Sequence, residues 1–170
     1  MTPTVRWAQA VLVSLLLALA GVSTADAAEW GTIQPGKSTM ETVRARFGTP
    51  SKTSTQKQEG YDATQWVYEG ASAPPGFVRL TLDFGLLTSL GFRADVVRTF
   101  SLAPKSGVFN RRAIVNGWGP PTNVGRENDL EVFFYDEGLL IYFAKDGWDT
   151  QLMVFTLPQA LIEESAKPKP

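Results

Sequence analysis

The chain has 170 residues, 11% of them aromatic, and 16 lysines and arginines against 17 aspartates and glutamates, for a net charge of −1. It contains no cysteine and no histidine. This excludes disulfides, thiolate nucleophiles, cysteine metal sites, the Ser-His-Asp triad and most transition-metal centres, while the balanced charge provides no basic field to draw nucleic acid or anionic lipid.

Arg6 precedes an apolar run over residues 8–22, broken by Gln9 and Ser14, which leads into Ala25-Asp26-Ala27. A basic start, a short apolar stretch and small residues make a signal peptide over 1–27, cleaved after Ala27. An uncleaved anchor is the competing reading. Val22 stands where a lipoprotein box would need cysteine, so no lipid anchor is expected, and no membrane span is expected after cleavage. The leader takes away one charge of each sign, Arg6 and Asp26, and leaves the net charge unchanged. Export without disulfides points to the bacterial envelope, periplasmic or secreted.

Ser38 and Glu41 have capping-box spacing, and Met40, Val43 and Phe47 then fall on one helical face. Gly48 and Pro50 stop the helix, which is expected over 38–47. Strands follow at 63–69, at 77–84 and at 96–102. In the second of these, Val78, Leu80, Leu82 and Phe84 are expected on one side, with Arg79, Thr81 and Asp83 on the other. A second helix is expected near 108–117, ending at Gly119-Pro120-Pro121. Strands at 130–135 and 139–144 flank a tight turn at Asp136-Glu137-Gly138. Lys145-Asp146-Gly147 turns into a last strand near 150–157. One or two helical turns are expected at 159–165, before a disordered Lys167-Pro168-Lys169-Pro170 tail.

The two halves repeat. Gly36, Gly48 and Pro50 recur as Gly107, Gly119 and Pro121, and Val43 and Phe47 recur as Ile114 and Trp118, each displaced by 71 residues. Thr99-Phe100-Ser101-Leu102 recurs as Val154-Phe155-Thr156-Leu157, displaced by 55. Duplication implies two helix-and-sheet units, at 28–103 and 104–158, with a tail at 159–170. Each unit is read as a helix followed by three or four antiparallel strands, which is an α+β class.

Residues Gly31 to Ser38 satisfy the P-loop spacing and open a helix. The strand that should precede such a loop does not fit upstream, and no distant carboxylate is placed to hold magnesium. Gly36 is better read as the entry to a capped helix, matched by Gly107. The carboxylates are scattered over turns and polar strand positions, with no pair at glycosidase separation and no calcium-loop spacing. No catalytic residue, metal site or cofactor is therefore expected.

Aromatic residues are the better candidates. Leu130, Val132 and Phe134 alternate with Phe133 and Tyr135, while Leu139, Ile141 and Phe143 alternate with Leu140 and Tyr142, so both faces of these two strands are apolar. One face packs on a helix; the other needs a cover, either from this chain or from a partner. The candidate partner-binding residues are Trp66, Tyr68, Tyr135, Tyr142 and Trp148, whose rings combine large area with a polar tip, together with Arg79 on an outward strand position. The competing reading makes the rings core and the arginine ordinary solvated surface.

The pattern Ile33, Gly36-Lys37-Ser38-Thr39, Val43, Phe47-Gly48-Thr49-Pro50 and Trp66-Val67-Tyr68 resembles the SmpA/OmlA (BamE-like) envelope proteins. It is also similar to the group sharing the fold of the β-lactamase inhibitor protein (BLIP). The resemblance covers residues 33–68 best and, through the repeat, 104–157 loosely. It implies two tandem BLIP-like repeats, each a short helix or helical hairpin packed on an antiparallel sheet, with a concave aromatic-rich surface. It also implies function by binding rather than catalysis. The lipoprotein cysteine and single unit typical of BamE-like proteins are both missing here. The expected partner is another envelope protein; a homodimer through the apolar face is a further possibility. Two other readings stand beside it: a small-ligand or glycan binder using the same aromatics, and a histidine-free hydrolase with paired carboxylates.

Overall fold

The structure, a computed structural model, describes residues 28–58 and 60–158. The signal segment, the helical turns expected at 159–165 and the tail lie outside the described residues. No helix among the described residues is long and apolar enough to cross a membrane.

Among the described residues the fold is α+β, with one antiparallel sheet of eight strands and two short α-helices. Helix α1 (Met40–Phe47) precedes β1 (Lys52–Gln58), β2 (Tyr61–Glu69), β3 (Phe77–Thr88) and β4 (Gly91–Pro104). Helix α2 (Arg111–Trp118) precedes β5 (Asn123–Glu127), β6 (Leu130–Tyr135), β7 (Leu139–Phe143) and β8 (Thr150–Phe155). The strand order is β1-β2-β3-β4-β8-β7-β6-β5, so the two four-strand meanders meet through their last strands. There Phe100 pairs with Phe155, Ser101 with Val154 and Leu102 with Met153.

Both helices stop where local chemistry requires. Gly48 and Gly119 sit at φ 75° and 80°, a region that favours glycine. The starts differ from expectation. Thr39 caps α1: its hydroxyl accepts from the Thr42 amide at 3.4 Å, while the Thr42 hydroxyl accepts from the Thr39 amide at 2.9 Å. Ser38 is unavailable because its buried hydroxyl accepts from the Gln34 amide at 2.9 Å and donates to the Thr32 carbonyl at 3.3 Å. Helix α2 starts three residues later than expected, with Asn110 as its cap, accepting from the Ala113 amide at 3.0 Å. Among the described residues each half carries one α-helix, the first also a 3-10 turn at Gly70–Ser72, and neither forms an α-helical hairpin.

All the expected strands form, and β3 and β4 extend into a longer hairpin than the alternation suggested. Strands β1 and β5 have no counterpart in the expectations. The first, KTSTQKQ, is polar throughout; both lie at sheet edges, where almost every residue is exposed and no alternation is demanded. One inward assignment is corrected. A bulge between Phe77 and Arg79 buries Phe77 and leaves Val78 55% exposed, while Leu80, Leu82 and Phe84 do face the core.

The core lies between the helices and one sheet face. Val43 of α1 and Ile114 of α2 pack with Leu80, Leu82, Phe100, Leu102, Phe133, Ile141, Met153 and Phe155 in a single cluster. Trp30, from the segment before α1, stacks on Phe47 at 5.9 Å and meets Phe77 edge-on at 5.1 Å. Phe77 in turn stacks on Phe109 at 5.4 Å. This run of rings joins the two halves on the helix side. The described residues of both halves thus share one sheet and one core.

Candidate binding face

Side chains alternate across a strand, so the docking of both helices on one face sorts the candidate residues. Tyr68 pairs with Leu80, and Tyr135 with Leu139, both on the helix side. Each tyrosine is buried and spends its polar tip on the end of a helix. Tyr68 donates to the Gly48 carbonyl at 3.0 Å, and Tyr135 donates to the Gly119 carbonyl at 3.1 Å. Burial pushes both phenols above their ordinary pKa; Arg44 opposes this at Tyr68, and Glu137 adds to it at Tyr135. Trp66 is also core. It packs edge-on against Phe84 at 4.8 Å, with the Arg44 guanidinium 4.9 Å from its centroid. Trp66, Tyr68 and Tyr135 are therefore core residues on the helix side and not anchors on an exposed sheet face, which corrects their assignment as binding residues. Helix ends leave carbonyls without intrahelical donors, and the tyrosine hydroxyls meet that need.

Tyr142 and Arg79 lie on the opposite face, which is helix-free among the described residues. Tyr142 donates to the Glu127 carboxylate at 2.7 Å across the β5–β7 span. Burial, the hydrogen bond and the charge of Glu127 together push its pKa up to about 12. Arg79 donates through Nε to Glu69 at 3.1 Å, and its terminal nitrogen lies 3.0 Å from the same carboxylate. Lys52 also reaches Glu69, at 2.5 Å. The Lys52 hydrogen bond, aided by both positive charges, holds Glu69 below the usual carboxylate range. Trp148 belongs to neither group. It is 45% exposed in the β7–β8 turn, and its carbonyl accepts the Arg111 amide at 2.9 Å at the start of α2.

Around Tyr142 the helix-free face is apolar. Leu130, Phe134, Leu140, Leu152 and Val154 share its strand parity and are half-buried. Val132 lies among them and is fully buried. The Phe134 ring leans over Gly125, where an added Cβ would lie 3.0 Å from it. Across β1–β4 the same face is polar: Glu69 faces Arg79, and Gln65 donates to Asp83 at 2.8 Å. The face is thus half apolar and half charged. Phe134, Leu140, Leu152 and Val154 were not singled out as site residues. Their signal was the double-sided apolarity of β6 and β7, which names two faces without saying which is covered.

The P-loop spacing does not make a phosphate cradle. The Gly36 amide donates to the Val97 carbonyl at 2.8 Å, and the Lys37 and Ser38 amides donate to the Gln34 carbonyl at 3.2 and 3.0 Å. Amides committed to protein acceptors cannot hold an anion. Two open grooves lie on the helix side. One, of about 470 Å³, is lined by Met40, Glu41, Arg44, Ala45 and Trp66. The other, of about 620 Å³, lies between Ala28-Glu29 and the end of α2.

No protein-family model matches the chain, and no curated protein sequence matches it. Among solved structures, it is similar to the crystal structure of a DUF4309 family protein (YjgB) from Bacillus subtilis subsp. subtilis str. 168. The identity is 12%, the TM-score is 0.47, and the match covers 78% of this chain and 88% of that one.

Proposed function

We propose that this protein is an exported, non-catalytic module of the bacterial cell envelope that binds another envelope protein through its helix-free sheet face. The observation that carries the reading is the half-buried apolar group Leu130, Phe134, Leu140, Tyr142, Leu152 and Val154, gathered on the side of the sheet away from α1 and α2. Rings and aliphatics beside paired charges are the composition of a binding face: an apolar centre with a polar margin. The Arg79–Glu69–Lys52 cluster supplies that margin. Export rests on the leader-like residues 1–27 and on the absence of cysteine.

The same reading takes the fold as two tandem BLIP-like repeats, α1 with β1–β4 and α2 with β5–β8. Three matched features support it. Both helix ends are held by a strand tyrosine, the capping residues Thr39 and Asn110 are 71 positions apart, and Phe100 and Phe155 meet at the seam. The resemblance of residues 33–68 to the SmpA/OmlA (BamE-like) pattern is consistent with an envelope role.

The test is cross-linked capture from an envelope fraction with residues 28–170, beside a Phe134→Glu, Tyr142→Glu variant with an unchanged melting profile. A protein retained by the wild type, lost by the variant and bound again when purified would support the reading. Equal capture by both would sink it. Sedimentation of the bait alone reads whether the face instead pairs two copies of this chain.

A further inference from the structure

The β3–β4 hairpin runs beyond its ladders with β2 and β8. Strand β2 pairs with β3 only as far as Phe84, and β8 pairs with β4 only at Phe100–Leu102. Gly85 to Arg93 therefore continue on a ladder of their own, in which Leu86 faces Arg93, Leu87 faces Phe92 and Thr88 faces Gly91. At the strand rise, the hairpin reaches roughly 13 Å past Phe84, with Tyr61 of β2 beside it. Its tip is apolar. Leu90 is 97% exposed and Leu87 47% exposed, the former more than any other large apolar residue described. Phe92 crosses Gly85 to stack on Tyr61 of β2 at 4.5 Å, beside the hairpin.

We propose that this hairpin tip inserts into the interface of a lipid bilayer. The chemistry along the hairpin is ordered by depth. Leu90 comes first, then Leu87 beside Phe92 with Tyr61 stacked on it, then the exposed Arg93. Aliphatic side chains suit the acyl boundary, aromatic rings suit the headgroup level, and a long basic side chain reaches the phosphates. The turn is also prepared for an apolar medium. The Thr88 hydroxyl accepts the Leu90 amide at 3.2 Å and donates to the Gly91 carbonyl at 2.9 Å, so burial strands fewer backbone groups. A convex, projecting tip needs no complementary pocket. With a net charge of −1, the protein has no general attraction to anionic lipid, so apolar insertion must drive the contact. This inference does not depend on the binding face described above.

The experiment uses residues 28–170, which lack the apolar leader, with phosphatidylcholine vesicles. The chain has no cysteine, so Leu90→Cys places a single environment-sensitive fluorophore at the tip. The expected result is co-sedimentation with vesicles that high salt does not abolish, with blue-shifted emission from the labelled tip. A Leu87→Asp, Leu90→Asp variant, both changes being at exposed positions, should fold normally and lose roughly ten- to a hundredfold of the binding. No co-sedimentation, or binding with unchanged tip emission, overturns the proposal. So does binding that high salt removes, or an emission shift produced only by a captured protein. None of these outcomes bears on the sheet face, which Phe134→Glu and Tyr142→Glu test separately.

Discussion

Phe100 of β4 and Phe155 of β8 stack face to face, with ring centroids 4.4 Å apart and planes within 6°. They are cross-strand partners in the β4–β8 ladder that joins the two meanders. Both are fully buried, so this pair closes the sheet and centres the core. Replacing either with alanine should cost about 3–5 kcal/mol, with a coupling of about 0.5–1.5 kcal/mol in a double-mutant cycle. Urea unfolding of the two single variants and the double variant measures both quantities. Additive losses would mean that the rings fill space independently.

Removing the hydroxyl of Tyr68 or Tyr135 leaves a helix-terminal carbonyl without its donor. Tyr68→Phe and Tyr135→Phe should each lose about 0.5–1.5 kcal/mol, and by similar amounts, because the two bonds measure 3.0 and 3.1 Å. Chemical denaturation of both variants reads this directly. A loss in one half alone would show that the matched geometry is not matched in energy.

Gly138 and Gly48 both take positive φ, but their surroundings differ. A Cβ at Gly138 would lie 2.6 Å from the Leu157 carbonyl oxygen and even closer to that of Thr156, whereas one at Gly48 meets nothing within 4 Å. Gly48→Ala should cost only the backbone term, about 1–2 kcal/mol. Gly138→Ala adds a clash with backbone that cannot rotate away, for a total of about 2–5 kcal/mol. Thermal unfolding of the pair settles the ordering.

Tyr142 carries a pH signature. Its pKa is pushed up to about 12, against an ordinary value of 10.0. The folded state favours the protonated phenol, so its contribution is fully present below about pH 10 and is lost as pH rises through about 12. In an ultraviolet titration, the difference between wild type and Tyr142→Phe should show this ionisation only near the upper value. Glu127→Gln should move it downward, since the carboxylate accepts the phenol proton's hydrogen bond and its charge opposes ionisation. A wild-type difference curve centred at 10 would refute the burial and pairing of this ring.

Much of the local structure was legible in the residues. Gly48 and Gly119, each followed two positions later by proline, mark helix ends because few other residues accept a positive φ. Asp136-Glu137-Gly138 marks a hairpin for the same reason, and Leu80, Leu82 and Phe84 mark a half-buried strand by their period of two. Ser38 could not be separated from Thr39 as a cap, because both carry hydroxyls and only the loop contact to Gln34 disqualifies one. Strand β1 could not be found at all, since an edge strand of lysine, threonine and glutamine needs no apolar alternation.

The candidate site divides along the same line. Composition and periodicity by themselves determined that β6 and β7 carry two apolar faces, and that any chemistry must do without cysteine and histidine. Only the tertiary structure decided that Tyr68 and Tyr135 point at helix ends, while Tyr142 points away from both helices. Alternation fixes which residues share a face, but the side on which the helices dock is a property of the packed whole. That long-range choice makes one ring a core residue and leaves another on the surface.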